Sequence, residues 1–397
     1  MERFPSAIAL IATRKPNRPV VCWRPHAAAR AARFFLGNFP GDVAYAYKAN
    51  SSVFLLGALY GAGVRHFDVA SLPEIEDART IPDATLHFMH PVKSREAIRR
   101  AYHEFGVRSF SLDSEDELAK IMTETGAARD LTLWVRIAVA SKNSRIPLDR
   151  KFGIAGARAA RLLVKVRQAA RELGITFHVG SQTATPDAYV AALDEVHKLI
   201  VKAGVVVERV DVGGGFPSLY ADGRPAPLAS FMTAINDRVE KLPVGERCRI
   251  MCEPGRALVA EAESLIVRVD ARRGQELFIN DGSYGMLFDA AHLAWIFPTR
   301  LVGQDDGEAL APFSFWGPTC DSLDQMKGPF LLPARVQEGD YIEIGNTGAY
   351  GRAIAGHFNG YGRYDEVILA DEPMLSMYTE QPAGDVILAA AAAGDAP

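Results

Sequence analysis

The chain has 397 residues, of which 48% are hydrophobic and 23% charged, and a net charge of −4. This length suits one large domain plus a smaller one, and the mild acidity gives no electrostatic reason to expect nucleic acid as a partner. The longest apolar runs are strand-sized, so no transmembrane helix and no membrane association are expected. The start, Met1-Glu2-Arg3-Phe4-Pro5, lacks the apolar core of a signal peptide.

The run from Ala7 to Ala12, followed by Arg14 and Lys15, reads as a strand. With the rest of residues 7–24 it is expected to join a β domain, so residues 1–30 are assigned there. From about residue 42 to 256, apolar strand-like runs at 43–47, 65–69, 85–89, 108–112, 131–139, 175–179, 207–212 and 248–252 alternate with helical patterns. Ser71-x-x-Glu74 and Ser114-x-x-Glu117 are capping boxes. Gly61, Gly106 and Gly174 sit where helices are expected to stop. Leu162, Leu163, Val166, Ala170 and Leu173 repeat at helical spacing, with Arg158, Arg161 and Lys165 on the opposite, solvated face. Eight strands alternating with helices predict a parallel (β/α)8 barrel over residues 31–258. The rival, an open doubly wound sheet, lacks a Gly-x-Gly-x-x-Gly after the first strand. After residue 260 helices become scarce and strand runs such as 262–269, 276–279 and 340–344 predict a mostly β domain over 259–380. Residues 381–397, rich in Ala and Gly, read as a disordered tail. Cys22, Cys248, Cys252 and Cys320 have no metal-ligand spacing, so no metal is expected, and so few cysteines suggest a reduced, cytoplasmic protein.

A parallel barrel carries its chemistry at the C-terminal ends of its strands. Those positions hold Lys48, Asp68, His90, Asp113, Arg136, His178, Gly213-Gly214-Gly215 and Glu253, with Arg256 just beyond. Singly, each has a bland reading: a solvated lysine, a core histidine, a flexible glycine turn. Together they suit a Schiff-base lysine and, in the loops after the last two strands, a phosphate site of glycine N–H groups and an arginine fork. That pair points to pyridoxal phosphate. Glu253 is the carboxylate for the ring nitrogen, His178 the plane against the ring, and Ser181 a phosphate donor.

Nine short motifs then fall in a familiar order: Ala46-Tyr47-Lys48-Ala49-Asn50, Phe67-Asp68-Val69-Ala70-Ser71, Lys151-Phe152-Gly153, His178-Val179-Gly180-Ser181, Gly213-Gly214-Gly215-Phe216-Pro217, Glu253-Pro254-Gly255-Arg256, Asn280-Asp281-Gly282-x-Tyr284-Gly285, Gly317-Pro318-Thr319-Cys320-Asp321 and Gly348-Ala349-Tyr350. In these the chain resembles the fold-type III pyridoxal-phosphate decarboxylases, specifically the ornithine and lysine/ornithine decarboxylases, over residues 40–365. The resemblance implies an alanine-racemase-like barrel and decarboxylation of a diamino acid, L-ornithine to putrescine or L-lysine to cadaverine. Lys48 would carry the cofactor as a Schiff base, with Asp68 and Arg136 in the network around it. Ser181, Gly213, Gly214, Gly215, Arg256 and Tyr350 would hold the phosphate. The implied homodimer shares its sites: Cys320, the proton donor to the substrate carbon, and Asp321, the partner of the distal ammonium, would come from the other subunit. Tyr284 and Asp289 match further cross-subunit substrate positions, and Lys151 and Asp324 a cross-dimer ion pair.

The chain departs from the pattern at His90-Pro91-Val92-Lys93, where relatives often carry an Asn- or Thr-containing turn, and in the short segment between Tyr284 and Asp289. The nearest rival is a diaminopimelate decarboxylase, which would need an arginine for a distal carboxylate. An alanine-racemase-like activity would set arginine rather than Glu253 against the ring nitrogen. From another class comes a catalytically inactive, decarboxylase-like binding protein, which would have lost residues such as Lys48, Glu253, Arg256 and Cys320.

Overall fold

The computed structural model describes residues 1–378 except 142–143, 149, 245–247 and 304–306. The predicted tail at 381–397 lies outside the described residues. The chain opens with strand β1 (Glu2–Phe4) and a helix, Ala7–Thr13, before β2 (Val20–Trp23). The helix replaces the strand read from this apolar run. Ser6 supplies the reason, since its side chain accepts the Ala9 N–H and so caps the first turn.

Eight parallel strands then close a barrel: β3 (Asp42–Ala46), β4 (His66–Val69), β5 (Thr85–Phe88), β6 (Ser109–Leu112), β7 (Thr132–Arg136), β9 (Glu172–Thr176), β11 (Arg209–Asp211) and β12 (Arg249–Cys252). Two short strands, β8 (Ser144–Ile146) and β10 (Ser181–Thr183), pair antiparallel above the mouth. The predicted strand at 175–179 lies three residues earlier, because the preceding helix, Gly156–Ala169, ends before Ala170 and Leu173. Gly174 is therefore inside β9. A Cβ there would meet Trp134 Cε3 at 2.3 Å, so the glycine makes room for the indole. Gly61 lies within the helix Val53–Ala62, which Gly63 terminates at a φ of 112°. Ser71 and Ser114 cap their helices by accepting the Glu74 and Glu117 N–H groups.

The lower barrel interior is filled by a polar chain rather than by aliphatics alone. Trp134 Nε1 donates to Ser109 Oγ at 2.8 Å, Ser109 Oγ lies 2.8 Å from His87 Nδ1, and His87 Nε2 lies 3.0 Å from His66 Nδ1. Burial first, then the neighbouring His66 and Arg209, pushes His87 down to about 3, so its ring is neutral.

The second unit is mostly β: β13 (Glu263–Arg273), β14 (Glu276–Ile279), β15 (Thr299–Leu301), β16 (Leu310–Trp316), β17 (Gln325–Pro333), β18 (Tyr341–Ile344) and β19 (Asp365–Leu369). Their sheet takes in both N-terminal strands, in the order β1-β19-β2-β13-β14-β16-β17, with β18 between β13 and β15. Arg24, just after β2, is buried and donates to Ser264 and Glu343, so a charged cluster pins the chain's beginning to this sheet. No helix among the described residues is long and apolar enough to cross a membrane.

Candidate active site

A cavity of about 490 Å³ opens at the C-terminal mouth of the barrel. Lys48, Asp68, His90, Arg136, His178, Ser181, Gly214, Gly215, Glu253, Arg256, Asp289 and Tyr350 line it. One turn past β3, Lys48 Nζ lies 2.5 Å from Asp68 Oδ2, and the lysine side chain is 41% exposed, toward the cavity. Burial alone would pull the ammonium down, but Asp68, then Tyr350 and Glu253, more than offset it and hold the group above the usual lysine value.

The opposite wall holds groups that lack partners. Glu253 is buried, and its Oε1 has no partner among the described residues. Burial, then Asp211 and Asp68, raises its carboxyl well above the ordinary range against the pull of Lys48 and Arg136. Nδ1 of His178 accepts the Gly180 N–H at 3.1 Å, which leaves the proton on Nε2. Burial, then Arg136 and Lys48, pushes this imidazole down to about 3, so it is neutral. Arg256 stacks over Trp295 at 4.0 Å, donates to Tyr220 at 2.9 Å and to Asp289 at 3.3 Å, and keeps a buried Nε without a partner among the described residues. Orphan donors beside an orphan carboxylate fit a ligand that brings both an anion and a protonated nitrogen, as pyridoxal phosphate does.

The glycine loop has a division of labour that its sequence does not show. The Gly213 N–H is spent on Asp211 Oδ1 at 2.9 Å, while Gly214 and Gly215 face the cavity. Gly213 has a φ of 68°, and a Cβ there would meet Phe177 O at 2.0 Å. Asp113, at the end of β6, does not face the cavity but accepts the Gly153 N–H at 2.9 Å, anchoring the loop that carries Phe152. Phe152 takes the edge of His90 at 5.1 Å and the Arg136 guanidinium at 5.4 Å.

Tyr284, Cys320 and Asp321 do not line this cavity. They form an outer cluster in which Cys320 is exposed and the Asp321 carboxylate accepts from the Tyr284 hydroxyl and the Leu323 N–H. Those two donors hold Asp321 below the usual carboxylate value. Two residues expected to act across a dimer have partners within this chain. Asp289, grouped by sequence with the cross-subunit residues, lies in the chain's own cavity beside Arg256. Asp324, expected to make a cross-dimer pair with Lys151, is 1% exposed and fully engaged at home. Its two oxygens accept from the backbone and hydroxyls of Ser283 and Thr319 at 2.7–3.1 Å. Among the described residues no cluster suited to a metal is present.

Two residues that organise the site were missed in the sequence. Asp211, at the end of β11, is wholly buried behind Glu253. Lys93 is buried and donates to His90 O at 2.9 Å, Ser111 O at 2.5 Å and Glu117 Oε1 at 2.9 Å, fixing the turn that carries His90.

The closed barrel and the amine, orphan carboxylate and orphan guanidinium at its mouth fit the class of barrel enzymes that use a phosphate-bearing cofactor. Residues 26–260 match the family model for the pyridoxal-dependent decarboxylase, pyridoxal binding domain. The chain is 32% identical to a lysine/ornithine decarboxylase of Selenomonas ruminantium over 341 residues, 83% of this chain and 84% of that one. It is 30% identical to a diaminopimelate decarboxylase of Pseudomonas fluorescens over 396 residues, 93% and 92% of the two chains. The structure of Paramecium bursaria Chlorella virus arginine decarboxylase bound to agmatine superposes with a TM-score of 0.80 at 27% identity, covering 91% of this chain and 98% of that one. The chain belongs to the pyridoxal-dependent decarboxylase family, and its cofactor is pyridoxal phosphate.

Proposed function

We propose that the chain decarboxylates a basic diamino acid, L-ornithine foremost, giving putrescine, and L-lysine second, giving cadaverine. The observation that carries this reading is the Asp321 carboxylate, held anionic by Tyr284 on the outer loop beside Cys320. Such an anion suits a distal ammonium. Once enclosed it costs several kcal/mol, on the order of the penalty for a buried unpaired charge, when the substrate lacks a second amine. Since this loop is outside the chain's own cavity, it acts in a second copy, in a homodimer with shared sites. Four free cysteines fit a reducing compartment, the cytoplasm.

Lys48 would hold the cofactor covalently. Arg256, Ser181, Tyr350 and the N–H groups of Gly214 and Gly215 would bind its phosphate, and Gly213 shapes the loop. Glu253 would partner the ring nitrogen, neutral His178 would support the ring, and Asp68 and Arg136 would position lysine and ring. When bound, pyridoxal phosphate supplies the electron sink for the charge left on the substrate Cα as carbon dioxide departs. Cys320 Sγ gives that carbon a proton. Asp321, with Tyr284, orients the distal amine, and Asp289 offers a second carboxylate from the chain's own side.

Arg136, Arg150 and Lys151 in the cavity wall favour a second reading, diaminopimelate decarboxylation, in which a distal carboxylate replaces the ammonium. Carbon dioxide release is to be compared for L-ornithine, L-lysine, L-arginine and meso-diaminopimelate, in wild type and Asp321→Ala. Ornithine or lysine as best substrate, with KM raised in the variant, supports the first reading. Diaminopimelate as best substrate overturns it.

A further inference from the structure

Asp211 closes β11 and is completely buried. Its Oδ2 accepts the Thr176 hydroxyl at 2.5 Å and its Oδ1 accepts the Gly213 N–H at 2.9 Å. Strand β11 pairs with β12, which brings Glu253, one residue past β12, alongside. The Glu253 N–H donates to Gly213 O at 2.8 Å, so Glu253 is tied to the same glycine whose N–H Asp211 accepts. Two carboxyls so enclosed do not both ionise without a counter-charge of their own. Lys48 is paired with Asp68, and Arg136 lies over the face of Phe152; both draw Glu253 toward ionisation, but less than burial and the neighbouring carboxylates oppose it. Asp68 adds a further negative charge, while Cys252 and Tyr189, packed against Asp211, are kept neutral by burial. Meanwhile Oε1 of Glu253 stays buried and without a partner among the described residues.

We propose that Asp211 and Glu253 hold one proton between them, and that Asp211 is the positioning residue that keeps this proton available on Glu253 for the ring nitrogen of the cofactor. The inference rests on the reading of Glu253 as the ring-nitrogen partner. The transfer balances: an O–H bond of the carboxyl pair breaks and an N–H bond forms on the ring lone pair. The pair goes from one negative charge to two as the ring gains one positive charge, so no proton is drawn from solvent. The direction of the Asp211 shift agrees, its carboxyl being pushed up to about 7 by burial against the pull of Thr176 and Gly213.

Infrared difference spectroscopy on the full-length chain stripped of cofactor reads the proton directly. In the wild-type-minus-Asp211→Asn difference at neutral pH, where the buried carboxyls of Glu261, Glu263 and Asp281 cancel, a protonated-carboxyl band is expected from wild type. Thr176→Val removes a donor that stabilises the anion, so the band should titrate at higher pH. No difference between wild type and Asp211→Asn, or a Thr176→Val shift to lower pH, overturns the proposal. Should Asp211→Asn not fold, the wild-type and Thr176→Val titrations carry the test. Calorimetry of cofactor binding in buffers of different ionisation heat gives a second readout. Asp211→Asn should take up about one proton per site more than wild type, and equal counts contradict the transfer. Where both results hold yet Glu253→Gln binds cofactor with unchanged absorbance, the shared proton stands and the ring-nitrogen role of Glu253 falls.

Discussion

Lys48 Nζ and Asp68 Oδ2 are 2.5 Å apart, joined across the ends of two neighbouring barrel strands. The pair keeps the amine protonated until a carbonyl ligand arrives. The raised folded value means its stabilising effect is fully present below the unfolded lysine's 10.5 and is lost only as pH rises past the folded value. Asp68→Asn removes the acceptor. The pH midpoint for reaction of Lys48 with a small aldehyde should fall by on the order of one unit or more. An unchanged midpoint would show that Asp68 does not govern the amine.

Cys320 and Asp321 sit outside the cavity that holds Lys48. In a shared-site dimer, Lys48→Ala and Cys320→Ala chains should each be nearly inactive alone. Mixed in equal amounts and allowed to exchange, they should regain about a quarter of wild-type activity, since half the dimers are hybrids with one intact site of two. No recovery, despite exchange shown by mass, would place both residues in one chain's site.

Gly213 is held at a φ of 68° with Phe177 O against the place a Cβ would occupy. Gly213→Ala should cost roughly 1–3 kcal/mol from backbone conformation alone, with more from the contact. The expected outcome is a lowered Tm and a cofactor dissociation constant raised at least tenfold. A variant with wild-type Tm and cofactor affinity would mean the loop has another conformation.

His87 is neutral inside the barrel, its folded value pushed from 6.5 to about 3 by burial. A base with a depressed folded value binds more protons unfolded, so stability falls as pH drops below 6.5. The loss from this group is about 2 kcal/mol at pH 5 relative to pH 8. Nitrogen NMR of labelled histidine should show two rings that stay neutral down to pH 4, those of His87 and His178, with the His87 signal assigned by its loss in His87→Gln. Protonation of the His87 ring near pH 6 would refute the packing described for His66, His87 and Ser109.

The barrel and most of the cavity wall were legible in the sequence because strand ends converge whatever the helix details. Lys48, Asp68, Arg136, His178 and Glu253 need only that rule. The helix Ala7–Thr13 was not, since a six-residue apolar run has no decisive period and the signal lay in Ser6 just before it. Asp211 was hidden because a carboxylate ending an apolar strand looks like one more turn residue. Its clue was a charge two residues before Gly213. The placements of Asp289 and Asp324 depend on how the second unit folds back on the barrel, which spacing along the chain does not encode.

The most direct measurement is release of carbon dioxide from carboxyl-labelled L-ornithine by wild type and Lys48→Ala, each with and without added pyridoxal phosphate. Release by wild type should require the cofactor, and Lys48→Ala should lose about a thousandfold or more, on the order of removing a covalent catalytic group. Equal release by the two chains, or none from wild type carrying bound cofactor, would contradict it.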